Sequence, residues 1–118
     1  MKYFAIRPVR NISFELEEGI KSVINHIRKE GHTVYDPLED TNQNDMTGLR
    51  ICKDNRQAIK NADVVLFIWD GNSQGCLFDL GMAFAFGKNI ITIDGYIPNA
   101  TSQKSFQNMV REWEHENN

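Results

Sequence analysis

One carboxylate, Asp79, stands inside the apolar run Cys76-Leu77-Phe78-Asp79-Leu80-Gly81-Met82-Ala83. Burying an unpaired charge is costly, so a carboxylate in such a segment is paired, turned toward a solvated cleft, or kept for chemistry. The residues ahead of it, Asp70-Gly71-Asn72-Ser73-Gln74-Gly75, are turn formers that follow an apolar run of strand length, Val64 to Trp69. Strand, polar turn and helix N-terminus are how open α/β sheets hold ligands at the carboxyl ends of their strands, with free backbone N–H groups facing the ligand. Blander roles compete for the same residues. Asp79 as a plain helix-dipole carboxylate would contribute about 0.3–1 kcal/mol, and Ser73 suits an N-cap as well as a ligand. Cys76, at a helix start, is a candidate for a depressed pKa, but no histidine lies near it in sequence to activate it. Trp69 and Phe78 offer faces for stacking on a flat ligand or walls for a core.

The elements that must carry these residues alternate in type. Tyr3 to Ile6 reads as a strand broken by Pro8, and Ser13 to Glu30 as a helix with Leu16, Ile20, Val23, Ile24 and Ile27 at 3.6-residue spacing, stopped by Gly31. Thr33-Val34-Tyr35 makes a short strand before Asp36-Pro37. The polar stretch from Leu38 to Asn44 has no apolar periodicity and reads as a mobile loop near the site. Asp45 to Asn61 gives a helix with Ile51, Asn55, Ala58 and Ala62 on one face, so Asn55 points inward while Asp54 points about 100° away. After the third strand come a helix from about Cys76 to Phe86, a strand from Asn89 to Ile93 and a helix from about Ser102 to Glu116. The alternation predicts an α/β fold: a three-layer, doubly wound, flavodoxin- or Rossmann-like sheet of four or five mostly parallel strands in the order 2-1-3-4. The crevice between the loops after strands 1 and 3 is then the expected site. Arg7 and Arg10 stand on one side of it, and Asp70, Ser73, Gly75 and the Asp79 helix on the other. The arginines suit a phosphate contact or plain solvated loop charges.

A length of 118 residues fits one domain, spanning 1–118. The net charge is −3 and the basic residues are scattered, so the footprint of a nucleic-acid binder is missing. No apolar run approaches the roughly 20 residues of a membrane span. Cys52 and Cys76 lack a CxxC spacing, and the N-terminus opens on strand-like residues in place of a signal peptide, which together favour the cytoplasm. His26, His32 and His115 read as surface residues without metal-ligand spacing, so neither a metal nor another cofactor is expected.

The pattern Ser73-x-Gly75-x-x-x-Asp79-Leu80-Gly81-x-Ala83-x-Ala85-x-Gly87-Lys88, entered through Ala62-Asp63-Val64-Val65, resembles that of the nucleoside 2-deoxyribosyltransferases and the related 2′-deoxynucleoside 5′-monophosphate N-glycosidases. Ile6-Arg7-x-x-Arg10 is similar to the I-R-x-x-R of the monophosphate glycosidases, and Asn108-Met109 resembles a short element of the family's last helix. The resemblance covers most of the chain. It implies that Asp79, where the family usually has Glu, attacks the anomeric carbon and expels the base, the glycosyl ester then passing to water or a second base. An anion beneath an oxocarbenium-like centre suits that chemistry on independent grounds. Asn55 takes the place of a family Asp and is the second catalytic candidate. Arg7, Arg10, Asp70, Ser73, Gly75 and Met82 are the expected substrate contacts. The implied substrate is a small nucleoside or nucleotide, and the implied assembly is a homo-oligomer, a dimer or higher. A 5′-monophosphate hydrolase and a catalytically weak nucleotide-binding module are the alternatives. A cytokinin-type nucleotide hydrolase would carry a Pro-Gly-Gly-x-Gly-Thr loop, where this chain has Asn72-Ser73-Gln74-Gly75. A phospho-acceptor domain would need an acidic pair where Ala5-Ile6-Arg7 stands.

Overall fold

The computed structural model describes residues 1–117. Strands β1 (Lys2–Ile6), β2 (Thr33–Tyr35), β3 (Val64–Phe67) and β4 (Asn89–Thr92) form one sheet in the order β2-β1-β3-β4. Every pairing is parallel: Tyr3 is in register with Val34 and Val64, and Val65 with Ile90. The expected order therefore holds, with four strands among the described residues. Chain connections diverge from the adjacent β1 and β3, the switch point at whose carboxyl ends open α/β sheets hold their ligands.

Helices α1 (Phe14–Lys29), α2 (Pro37–Asp40), α3 (Leu49–Asn61), α4 (Gln74–Ala85) and α5 (Phe106–Asn117) complete the chain. Successive strand residues point to opposite faces, and the core divides accordingly. Phe4, Ile6, Val65, Phe67 and Ile90 pack against Ile59 of α3, Leu80 and Ala83 of α4, and Val110 and Trp113 of α5. Ala5, Val34 and Leu66 pack against Ile20, Ile24 and Ile27 of α1. The sheet is thus the middle of three layers, with the Asp79 helix on the more heavily covered face.

Three boundaries depart from expectation, each for a local reason. The stretch after β2 is not all loop: Asp36 caps α2 by accepting from Leu38 N–H at 3.0 Å, and Pro37 takes the first helical position, where its missing N–H costs nothing. α3 starts at Leu49 and not Asp45, because Gly48 adopts a left-handed φ of 87°. Asp45 instead reaches forward to accept from Ile51 N–H at 3.1 Å. α5 starts at Phe106 and not near Ser102. Ser105 accepts from Asn108 N–H there, and the Asn108 amide is spent on the carbonyls of Thr101 and Gln103.

Candidate active site

Position along α4 decides what its start can offer. Ser73 caps the helix, its hydroxyl accepting from Cys76 N–H at 3.3 Å. One oxygen of Asp70 accepts from the N–H groups of Asn72 and Ser73 at 2.9 and 2.8 Å, and the Trp69 indole donates to the Ser73 carbonyl at 3.1 Å. The turn after β3 is therefore held rigidly. Among the described residues the N–H groups of Gln74 and Gly75 have no acceptor, so the helix presents two donors and the positive end of its dipole. Gly75 leaves room at its own Cα, since a Cβ there would meet nothing nearer than Ser73 Oγ at 3.9 Å.

Asp79 lies in the next turn and faces inward, only 8% exposed. Among the described residues no cation pairs with it. Its partner is the Asn55 side chain on α3, which hydrogen-bonds the carboxylate. Burial pushes the Asp79 carboxyl up to about 7, and the Asn55 hydrogen bond offsets only part of that. Behind Asn55, the Thr41 hydroxyl donates to Asn55 Oδ1 at 2.8 Å, and the Tyr35 hydroxyl lies 2.7 Å from Thr41 Oγ1. Asn55 and Thr41 are both buried, so α3 and the loop after α2 supply a polar lining inside an otherwise apolar layer.

The other wall differs from expectation. Arg7 is not a solvated loop charge: its side chain is fully buried and ion-paired with Glu17 of α1 and with Asp36, 3.4 Å away. Its Nε donates to the Pro8 carbonyl at 3.0 Å. Burial pushes the Asp36 carboxyl up and Arg7 pulls it back down. Arg10 is exposed in the loop between β1 and α1.

Several further expectations meet a definite geometry. Met82 is half-buried one turn beyond Asp79. Cys76 is not an activated thiol: it is buried, and desolvation pushes it up to about 12, which outweighs its place at a helix start. Asp54 turns outward to pair with Arg50 at 2.7 Å. Trp69 is half-buried with its edge contact on Phe106, whereas Phe78 is 57% exposed. Thr41, Tyr35 and Glu17 were not legible as site residues. Asp36-Pro37, an N-cap followed by a first-turn proline, was the one signal that the segment containing Thr41 is ordered.

Comparison with known proteins bears on the fold and the family. The chain shares its fold with a 2-deoxyribosyltransferase from the psychrotolerant bacterium Bacillus psychrosaccharolyticus, at TM-score 0.69 and 21% identity over 95% of this chain and 81% of the other. A 2-deoxyribosyltransferase from Leishmania mexicana superposes at TM-score 0.60, with 18% identity over 78% and 63% of the two chains. The CMP N-glycosidase of Clostridium botulinum is similar at TM-score 0.58, with 26% identity over 78% of this chain and 70% of that one. No curated protein sequence matches the chain. Residues 13–112 match the model of the nucleoside 2-deoxyribosyltransferase family, and the chain belongs to that family of enzymes, which act on the glycosyl bonds of nucleosides or nucleotides.

Proposed function

We propose that the protein breaks the N-glycosidic bond of a (deoxy)nucleoside or its 5′-monophosphate, with Asp79 as the nucleophile. The observation that carries this reading is a buried carboxylate with no cationic partner among the described residues, one turn behind an open helix N-terminus. An ionised Asp79 oxygen attacks the anomeric carbon as the C–N bond breaks, and the bonding pair leaves with the base. The glycosyl ester is then taken by water or by the ring nitrogen of a second base, which frees the carboxylate. Asn55 donates to the carboxylate and orients it. It cannot deliver a proton, so the departing base is protonated by solvent or leaves hydrogen-bonded.

The Ser73 hydroxyl and the Gln74 and Gly75 N–H groups suit a 5′-hydroxyl or 5′-phosphate, with Arg10 on the opposite wall and Met82 beneath the sugar or base. Asp70 serves the site by shaping the turn. Arg7 reaches a phosphate only by loosening its hold on Glu17 or Asp36. Likeness to the CMP N-glycosidase favours a second reading, hydrolysis of a nucleoside 5′-monophosphate. Phe78 and Phe84 are 57% and 64% exposed on α4, and they suit burial against a second copy, hence a homo-oligomer. Two free cysteines fit a reducing compartment, the cytoplasm.

Chromatography of products from deoxynucleosides and their 5′-monophosphates, with and without an acceptor base, tests the assignment. Free base or an exchanged nucleoside is expected, together with a glycosyl adduct on Asp79 in mass spectrometry of the intact protein. Binding without any product would leave a nucleotide-binding module in its place.

A further inference from the structure

We propose that Glu17 is a specificity-determining residue: by holding the fork of Arg7 from within the chain, it denies that cation to a ligand and makes the site select a 5′-hydroxyl over a 5′-phosphate. The inference names the substrate class of the site proposed above, and it rests on the ligand's 5′ end meeting the start of α4.

Arg7 stands close to that start. Ile6, the residue before it, accepts from Ile68 N–H at 2.8 Å, and the Ile68 carbonyl accepts in turn from the Cys76 thiol of α4 at 3.6 Å. Cys76 senses the charges of both Arg7 and Asp79. A cation so placed is the natural counterion for a phosphate at a helix N-terminus. Its donors, however, are already used. Of the five N–H groups of a guanidinium, Nε donates to the Pro8 carbonyl, Nη1 to Glu17 at 3.2 Å and to Asp36 at 3.4 Å, and Nη2 to the second Glu17 oxygen. Glu17 thus grips the fork with both oxygens, the geometry in which an arginine otherwise holds a phosphate. The Arg7 side chain is fully buried and Glu17 is 16% exposed, so of the two it is the carboxylate that borders solvent. Glu17 also lies in the first turn of α1, where the helix dipole favours its ionised form.

Counting charges gives the same answer. Glu17 alone neutralises Arg7, and Asp36, at whatever fraction ionised, adds only negative charge. A phosphate dianion at the start of α4 would also meet Asp70 of the capping turn, and Asp79 once ionised. On its side stand the Gln74 and Gly75 N–H groups and Arg10, which is exposed and screened by solvent. A neutral 5′-hydroxyl needs only the N–H groups and meets no repulsion.

The test is calorimetry at low salt with 2′-deoxypseudouridine and 2′-deoxyformycin A, whose carbon–carbon glycosidic bond does not turn over, each against its 5′-monophosphate. The wild-type protein should bind the nucleoside at least about ten-fold more tightly. Glu17→Gln keeps the side chain's shape, removes its charge and loosens the fork. It should move the ratio of the two affinities by about ten-fold toward the monophosphate. A Glu17 with only a structural role would change both affinities together and leave their ratio alone. Should Glu17→Gln fail to fold, Asp36→Asn provides the test, with a smaller shift in the same direction. Glu18→Gln makes the same charge change at an exposed neighbour and should leave the ratio within about two-fold. Three results would each overturn the proposal: a wild-type protein that binds the monophosphate as tightly as the nucleoside, a ratio unmoved in whichever variant folds, or an equal shift in Glu18→Gln. Nucleoside-selective binding with no product from cleavable substrates would instead overturn the catalytic reading and leave this one standing. Binding of neither ligand would remove both.

Discussion

Two buried charged clusters, one at the end of β1 and one on α4, are solved in opposite ways. At the end of β1 the Arg7 guanidinium has two carboxylates, Glu17 and Asp36, and a backbone carbonyl. On α4 the Asp79 carboxylate has one amide. A compensated ion cluster fixes how α1, β1 and the start of α2 meet, and its charges are spent on one another. An uncompensated carboxylate is a standing cost to the fold, of the kind proteins keep where the group is used. Of two polar groups at similar depth, the unpaired one is therefore the better candidate for chemistry.

The largest effect separating the clusters should be catalytic. Asp79→Asn is expected to lower base release by three or more orders of magnitude, a barrier increase of at least about 4 kcal/mol, while folding normally. Single-turnover rates on the best substrate decide this, and activity near wild type would remove Asp79 from the mechanism. Asp79→Glu sharpens the test, because one added methylene moves the oxygens by about 1.5 Å, enough to change a rate about 100-fold. A faster Glu variant would show that the shorter side chain limits the natural site.

Next in size is a loss of stability on the other wall. Arg7→Ala leaves Asp36 buried without its cation and should destabilise the fold by about 3–5 kcal/mol, read as a lower midpoint in urea. A midpoint unchanged from wild type would mean that the Arg7 cluster contributes nothing to folding, and would return Arg7 to the substrate.

The Asp79 cluster should behave in the reverse sense when stability is measured against pH. Its carboxyl titrates near 3.8 when unfolded and at about 7 when folded, so the folded state holds the extra proton between those values. The contribution of Asp79 to stability is thus full below about pH 4, falls as pH rises through 7, and is lost above it. Asp79→Asn should therefore be more stable than wild type at pH 8 by an amount on the order of a few kcal/mol, with the gap closing toward pH 4. Thermal melts across that range test the sign, and a variant less stable at pH 8 would contradict it. For the same reason base release should rise with pH through about 7.

Asn55→Asp gives the smallest and most selective change. It puts a second carboxyl beside Asp79, so the two share a proton near neutrality and titrate as a pair. A proton source for the departing base then becomes available, and base release is expected to increase with a bell-shaped pH profile in place of a single rising limb. A rate lowered at every pH would show that the amide serves Asp79 better than an acid does.

The strand order and the inward direction of Asn55 were legible because each is a periodic property of the chain. Apolar residues at spacing 3.6 or 2 must share a face, and alternating elements leave few topologies. Ser73 as the cap of α4 was equally local. Gly48 shifted the start of α3 because its left-handed turn is invisible to a count of apolar positions. Thr41, in a polar run without periodicity, gave no sign that it would lie buried against Asn55, fourteen residues on.

By itself the sequence determined the α/β sheet, its strand order and a carboxylate at the head of an apolar helix, since these follow from short-range spacing and turn chemistry. Only the tertiary structure decided which charges were neutralised. Glu17 lies ten residues from Arg7 and Asp36 twenty-nine, and packing brings both to the guanidinium while bringing, among the described residues, only an amide to Asp79. Whether a buried charge serves structure or chemistry depends on its partners in space, and those are set by how helices dock on the sheet.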